Sequence, residues 1–133
     1  MNYQQEIAFL AAVEKAEDSS NQRRAVTLKE LEVIRKEHPG IAETYLAFLA
    51  QAGAGSFREC QFILYDGPVT PDDVWVEEIN DKDVVFCGDN YSGGFFGFRL
   101  GKDEVIEFWR IDGEISATGK PFPLYIRERL LMD

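Results

Sequence analysis

Apolar residues recur at helical spacing in the first fifty residues of the chain. Residues 5–16 are rich in helix formers and carry an apolar side chain near every third position. Residues 18–24 are polar and are predicted to form a loop. Thr27 and Glu30 form a capping-box pattern, which predicts that a second helix begins at this threonine. Apolar positions from Ile41 onward predict a third helix, so the first part of the chain is expected to be helical.

The spacing of apolar residues changes to that of strands in the middle of the chain. Strands are predicted at residues 60–65, 84–87, 93–100, 104–111 and 114–117. Asp66-Gly67-Pro68 predicts a turn, and Thr70 followed by Pro71 predicts a short helix over 71–79. Asp112-Gly113 is typical of a two-residue hairpin turn, and a last helix is predicted at 122–132. This order indicates an α+β fold with a largely antiparallel sheet.

The chain is 133 residues long and 45% hydrophobic, which suits one domain with a core of its own. It carries 24 acidic and 14 basic side chains, a formal net charge of −10. Binding to nucleic-acid phosphates needs clustered lysine and arginine, and an anionic membrane repels an acidic protein, so both partners are excluded. The chain shows neither a secretory signal nor an apolar run of about 20 residues. We expect a cytoplasmic protein.

Residues that could carry catalysis are few. His38 precedes a proline at a predicted helix end, where a cationic side chain suits the helix dipole. Cys60 and Cys87 lie in apolar strand patterns and are expected to be reduced and buried. The chain contains no CxxC, no GxGxxG and no metal-ligand spacing. We expect no enzymatic activity, no cofactor and no metal, but the sequence leaves open which carboxylates approach each other.

Most of the negative charge lies in one stretch of the chain. Residues 71–112 hold 11 acids and 4 bases, a net charge of −7. Such a run often forms a solvated surface that keeps a domain soluble, and that interpretation stays open here. The functional interpretation is an acidic docking surface, whose field accelerates encounter with a basic partner and selects it. The candidate partner-binding residues are Asp72, Asp73, Glu77, Glu78, Asp81, Asp83, Asp89 and Tyr91.

Aromatic residues near these acids allow two interpretations. Trp75 shares its predicted helix with Val74 and Ile79, which favours a place in the core, whereas an exposed tryptophan would strengthen the docking interpretation. Tyr91 lies in a predicted loop and is the candidate anchor. The residues predicted to fill the core of the sheet are Phe95, Phe96, Phe98, Phe108 and Trp109. A small-molecule pocket lined by residues 95–98 is the alternative use of this segment.

Two stretches of the chain resemble the SUKH superfamily, the Smi/Knr-like cell-wall-regulator domain. The first, residues 38–57, resembles the family's proline-led helix that runs into a strand. The residues that match are Pro39, Phe48, Leu49, Gly53 and Gly55. The second, residues 84–109, resembles a strand, a glycine-rich loop and aromatic strands, on Gly94, Phe96, Phe98, Leu100, Val105 and Phe108. The resemblance covers roughly residues 26–131 and implies a single SUKH-like domain over 1–133, in which helix 5–16 precedes the core.

The resemblance implies a protein-binding module without catalytic residues or cofactors. Bacterial members of the superfamily look like immunity proteins, which stay in the cytoplasm and neutralise toxins, often nucleases. Eukaryotic relatives regulate cell-wall synthesis and signalling, which gives the alternative of a regulatory scaffold or small-ligand-binding domain. An acidic inhibitor suits a basic nuclease because it mimics the charge of the nucleic-acid backbone. We therefore expect a protein partner, either a cognate toxin or a signalling protein.

Overall fold

A seven-stranded antiparallel sheet carries α-helices against one of its faces. The structure, a computed structural model, describes residues 3–14, 22–57 and 61–131. Within them the α-helices are α1 (Gln4–Val13), α2 (Leu28–Glu37), α3 (Glu43–Gln51) and α4 (Phe122–Leu131). The strands are β1 (Gln22–Arg24), β2 (Ala54–Phe57), β3 (Phe62–Val69), β4 (Val84–Asp89), β5 (Gly94–Arg99), β6 (Ile106–Trp109) and β7 (Glu114–Ala117). These elements form one domain, and the predicted α+β fold is confirmed.

Each strand pairs with the strand that follows it in the chain, so the sheet is a meander from β1 to β7. One row of directly opposed residues crosses six of the strands, and it consists of Ser56, Ile63, Asp89, Phe95, Phe108 and Ile115. Directly opposed residues share a face of a sheet. The row lies on the face opposite the four α-helices, which we call the outer face. The other face is called the helix face.

The helix face holds the larger of two hydrophobic cores. Side chains from the four α-helices pack there against strands β2 to β5. Phe48 of α3 makes edge contacts with the rings of Tyr3, Phe57 and Phe122, whose centroids lie 5.0–6.3 Å away. Edge-to-face contacts add to the free energy gained from burial alone. This core therefore joins α1, α3, α4 and the sheet through a single side chain.

An ion pair between a buried glutamate and an exposed arginine also joins α1 to α4. Glu6 is fully buried, and its Oε1 accepts a hydrogen bond from Arg127 Nε at 2.6 Å. The second carboxylate oxygen, Oε2, has no hydrogen-bond partner among the described residues. Because a buried carboxylate is costly without a partner, the fold depends on the guanidinium that pairs with it.

Residues 70–83, the covering segment, lie across the outer face between β3 and β4. Val76 of this segment is fully buried. It packs in a second core with Val84, Phe86, Phe95, Ile106 and Phe108. Since a single stretch of chain covers this core, the outer face buries fewer apolar side chains than the helix face.

The predicted helix over 71–79 is wrong beyond its first turn. Thr70 caps a 3-10 helix that spans only Pro71–Val74. Trp75 then adopts the left-handed conformation, with φ 58° and ψ 37°. This turns the chain so that Val76 enters the outer core instead of continuing a helix. Packing of one buried side chain outweighs helix propensity here.

The predicted turn at residues 66–68 is also wrong, because β3 runs through it to Val69. The pairing of β3 with β4 is irregular between Leu64 and Val69. A proline donates no hydrogen bond to a ladder, and an irregular stretch of the sheet tolerates it at position 68. The strand therefore continues past a sequence that is typical of turns.

Some element boundaries near the N-terminus differ from the predictions. The helix predicted at 5–16 begins at Gln4 and ends at Val13. The end of the predicted loop 18–24 is strand β1, which pairs with β2 and so becomes ordered through a distant partner. The predicted strand position of Cys60 lies outside the described residues.

The predictions for the start of α2 and for the bounds of β7 are confirmed. Thr27 Oγ1 accepts a hydrogen bond from the N–H of Glu30, and Glu30 Oε1 accepts one from the N–H of Thr27, both at 3.2 Å. This confirms the capping box at the start of α2. Strand β7 has the predicted bounds. The predicted two-residue turn before it is wrong, because Trp109 pairs with Glu114 and the turn therefore has four residues, 110–113.

Candidate functional site

The covering segment connects two opposite ends of the outer face. At one end the N–H of Arg110 donates to the carbonyl of Gly93 at 2.9 Å, where β6 turns into β7. At the other end the N–H of Leu100 donates to the carbonyl of Asp83 at 2.8 Å, where β4 begins. We call these the Arg110 end and the Asp83 end. The predicted acidic residues are therefore distributed between two places rather than forming one cluster.

A second capping box fixes the start of the covering segment. Thr70 Oγ1 accepts from the N–H of Asp73 at 3.3 Å, and Asp73 Oδ2 accepts from the N–H of Thr70 at 2.9 Å. Pro71 occupies the first position of the 3-10 helix, where the missing N–H costs nothing. Asp73 thus has a structural role, while Asp72 beside it is exposed.

Trp75 projects from the segment at the Arg110 end. Its side chain is 84% exposed. The guanidinium of Arg110 donates to the carbonyl of Val74, and its Nη1 lies 3.5 Å from the carbonyl of Trp75. The same guanidinium stacks 5.0 Å from the centre of the Phe95 ring. Arg110 therefore holds the backbone that presents Trp75 while covering an edge of the outer core.

The turn at 110–113 touches the covering segment at a second point. A Cβ added to Gly113 would lie 3.9 Å from Cγ of Glu78. Gly113 itself has φ 68°, a left-handed value that is unfavourable for a residue with a side chain. Between these two contacts Ile111 is 90% exposed. The turn thus places an isoleucine on the same end of the face as Trp75.

The loop after β4 carries Tyr91 to this end as well. Asp89 Oδ1 accepts from the N–H of Tyr91 at 2.7 Å, and Asp89 Oδ2 accepts from the Tyr65 hydroxyl at 2.5 Å. Burial and this bond to Asp89 raise the pKa of Tyr65, so its hydroxyl stays protonated. The Tyr91 hydroxyl shares a hydrogen bond with Ser56 Oγ, and its ring remains 50% exposed. Asp89 therefore positions the tyrosine rather than facing solvent freely.

Two of the predicted acids lie at the Asp83 end. Asp81 Oδ1 accepts from the N–H of Asp83 at 2.9 Å, and Asp81 Oδ2 pairs with Arg99 Nε at 3.1 Å. These bonds lower the pKa of Asp81 below its usual value. The Asp81 carboxylate is thus partly neutralised by an arginine of β5.

The structure sorts the eight predicted residues into two groups. Asp73, Asp81, Asp89 and Tyr91 are engaged in the bonds described above. The others are exposed carboxylates that form no ion pair among the described residues, namely Asp72, Glu77, Glu78 and Asp83. These four unpaired carboxylates all lie on the covering segment.

The aromatic predictions have a mixed outcome. The interpretation of Trp75 as a core residue is wrong, because the left-handed turn points its indole outward. Trp109 is 37% exposed and lies over Gly94, so its assignment to the core is wrong in part. The predicted phenylalanines of the sheet core are buried, namely Phe95, Phe96, Phe98 and Phe108. The exposure of Ile111 was not predicted, although its position directly before Asp112-Gly113 is typical of a turn residue.

A cleft of about 540 Å³ opens on the helix face, away from the acidic segment. It is lined by Gln61, Phe62, Asn90, Glu107, Lys120, Tyr125, Glu128 and Arg129. The Tyr125 hydroxyl donates to Glu107 at 2.7 Å, and Lys120 pairs with Glu128 at 2.5 Å. This cleft uses other residues than the predicted pocket at 95–98, whose phenylalanines are buried in the two cores.

The residues considered for catalysis occupy structural positions. His38 caps the C-terminal end of α2. Cys87 is buried in the core of the helix face, and burial raises the pKa of its thiol well above its usual value. Over the described ranges, no group of three or more His, Cys, Asp or Glu is arranged to hold a metal ion. The helices among the described residues are too short or too polar to cross a membrane.

Comparison with known proteins gives no match to a protein family, a curated protein or a solved structure. The SUKH assignment therefore stays a prediction from the sequence. The exposed acids and apolar side chains of the outer face are the structural features that bear most directly on function.

Proposed function

We propose that this chain is a non-catalytic protein-binding module whose outer face binds a basic protein. The observation that carries the proposal is the exposed acidic run on the covering segment. Within residues 72–83, Asp72, Asp73, Glu77, Glu78, Asp81 and Asp83 are exposed, with Lys82 as the single base. Charges of one sign along a surface speed encounter with the opposite charge and disfavour partners of like charge.

The most concrete form of this function is immunity against a toxin. The resemblance to the SUKH superfamily supports a cytoplasmic protein that neutralises a cognate toxin. An acidic face suits a basic, nuclease-type toxin, because such an enzyme has a binding surface for phosphates. The inhibitor would then occupy that surface with carboxylates.

The test compares charge reversal on two sides of the domain. The proposal predicts that a toxin domain is encoded beside this gene, and this domain is the probe, inactivated for binding and active for growth rescue. We expect the variant E77K/E78K to associate roughly tenfold more slowly and to show a weaker salt dependence. The matched control is E32K/E37K on α2, which changes net charge equally on the helix face and should associate at the wild-type rate or close to it.

Two results would contradict the proposal. The first is a wild-type chain that neither binds this domain nor rescues growth. The second is an equal effect of the two charge reversals, which would show that only total charge matters. Circular dichroism should report the same fold for both variants, since all four glutamates are exposed and, within the described ranges, only Glu32 has an ion-pair partner, the surface residue Arg35.

The cleft on the helix face supports a second candidate, a small-ligand-binding domain of the Smi/Knr type. Its volume of about 540 Å³ lies in the range of ligand sites. A ligand that binds the folded state raises the melting temperature by mass action. A panel of monosaccharides, nucleotides and amino acids at millimolar concentration tests this candidate, and an unchanged melting temperature throughout would reject those classes.

A further inference from the structure

Large apolar side chains are exposed on several described elements, and three of them lie on segments that Arg110 bonds to or belongs to. Trp75, Ile111 and Tyr91 are 84%, 90% and 50% exposed. Arg110 contacts the carbonyls of residues 74 and 75, precedes Ile111, and bonds through its N–H to the loop that carries Tyr91. The three side chains therefore belong to one end of the outer face.

Folding alone does not explain a tryptophan at position 75. Its φ of 58° lies in the left-handed region, which is unfavourable for a bulky residue and suits glycine or asparagine. Its indole is almost fully exposed, so it adds little to the core. Neither the backbone nor the packing favours tryptophan here. An outlier of this kind at the surface is a reason to ask for a functional role.

The charge around these side chains indicates which class of partner could bind them. Glu77 and Glu78 follow Trp75 in the chain, and Asp112 follows Ile111; all three are exposed. Like charge would oppose a second copy of this chain, and the same carboxylates would be repelled by anionic lipid. A protein with lysine and arginine around an apolar pocket is the complementary occupant. Tryptophan is among the residues most enriched at binding hot spots.

We propose that Trp75, supported by Ile111 and Tyr91 at the same end of the outer face, is the anchor that enters an apolar pocket rimmed by basic residues on the partner protein. This deepens the proposed function and rests on it. In this arrangement the acids of the covering segment govern association, and the exposed apolar side chains govern dissociation. Arg110 acts as a positioning residue that holds the Trp75 backbone.

The binding test uses the cognate toxin domain that the proposed function predicts, catalytically inactivated, in surface plasmon resonance. Trp75→Ala should weaken the affinity about 30-fold or more, mostly through faster dissociation. Ile111→Ala should have a smaller effect in the same direction. The matched control is Leu28→Ala on α2, where the side chain is 78% exposed and lies on the other side of the domain. The control should bind like wild type.

The possible outcomes separate this inference from the proposed function. If E77K/E78K slows association but Trp75→Ala leaves dissociation unchanged, the acidic face binds and the anchor is wrong. Equal losses in Trp75→Ala and Leu28→Ala would also overturn the anchor. Failure of the wild-type chain to bind would overturn both.

A stability test needs no partner. Trp75→Asn replaces the tryptophan with a residue that tolerates left-handed backbone. We expect the melting temperature to stay the same or to rise by a few degrees, since strain is relieved and little packing is lost. A fall of more than about 5 °C would show that Trp75 supports the fold, and the anchor role would then lose its main argument.

Discussion

The two faces of the sheet are covered in different ways. Four α-helices bury the helix face in a core that includes Tyr3, Phe48 and Phe122, while one irregular segment covers the outer face around Val76. The helix cover is held by large apolar side chains and by the ion pair of buried Glu6 with Arg127. The segment is held by a capping box, the Asp81–Arg99 ion pair, contacts from Arg110 and fewer apolar side chains, namely Pro71, Val74, Val76 and Ile79. Under the proposed function, stability and partner binding are assigned to opposite faces of one sheet.

The largest expected losses of stability come from truncating a phenylalanine in either core, and the loss should be greater on the helix face. Phe48→Ala should destabilise the domain by about 4 kcal/mol, because it leaves a cavity among α1, α4 and the sheet. Phe108→Ala on the outer face should cost about 3 kcal/mol, because the covering segment has few other contacts and settles into the space. Urea unfolding of both variants measures the difference. An equal or larger loss in Phe108→Ala would show that the outer face is also a principal core.

Breaking the ion pair between Glu6 and Arg127 should give the next largest loss of stability. Arg127→Ala leaves the Glu6 carboxylate buried without its partner and should lower the melting temperature by roughly 8 °C. The double variant Glu6→Gln with Arg127→Ala should recover part of this loss, because a neutral amide is less costly to bury than a lone carboxylate. Calorimetry of the two variants decides the point. A double variant less stable than Arg127→Ala alone would contradict it.

The two capping boxes give a matched pair of smaller effects. Thr27→Ala at the start of α2 and Thr70→Ala at the start of the covering segment should each cost about 1 kcal/mol. Only Thr70→Ala should also weaken binding to the partner that we propose, since its segment carries the acids and Trp75. Chemical denaturation and binding kinetics are measured side by side. A binding loss in Thr27→Ala of the same size would remove the distinction between the faces.

The smallest expected effect is on the dependence of stability on pH in acidic solution. A hydrogen bond from Arg24, and then one from the Thr27 N–H, lower the pKa of Glu30 to about 2. A lowered pKa means that this stabilisation is complete above the ordinary pKa of a glutamate and disappears as the pH falls through the folded value. Glu30→Gln should therefore flatten the stability profile between the ordinary glutamate pKa of 4.5 and the folded value of about 2. An identical slope in wild type and variant would contradict the assignment.

The comparison of faces also shows how far the sequence could predict the fold and the site. The α2 cap and β7 depend on neighbours within a few residues, and local patterns predict both. The direction of Trp75 depends on Val76 entering the outer core and on Arg110, which lies 35 residues further along the chain. Likewise β3 continues through Pro68 because its partner strand accommodates an irregular register. Contacts distant in sequence therefore decide the candidate site.

Both proposals require that the outer face, and not the helix face, binds the partner. The ¹H–¹⁵N spectrum of this chain, with and without the inactivated toxin domain that the proposed function predicts, tests this requirement most directly. We expect perturbed amides at residues 72–78, 90–93 and 110–114, with α1 to α4 unchanged. Perturbations centred on α2 and α3, with residues 72–78 unaffected, would contradict binding by the outer face.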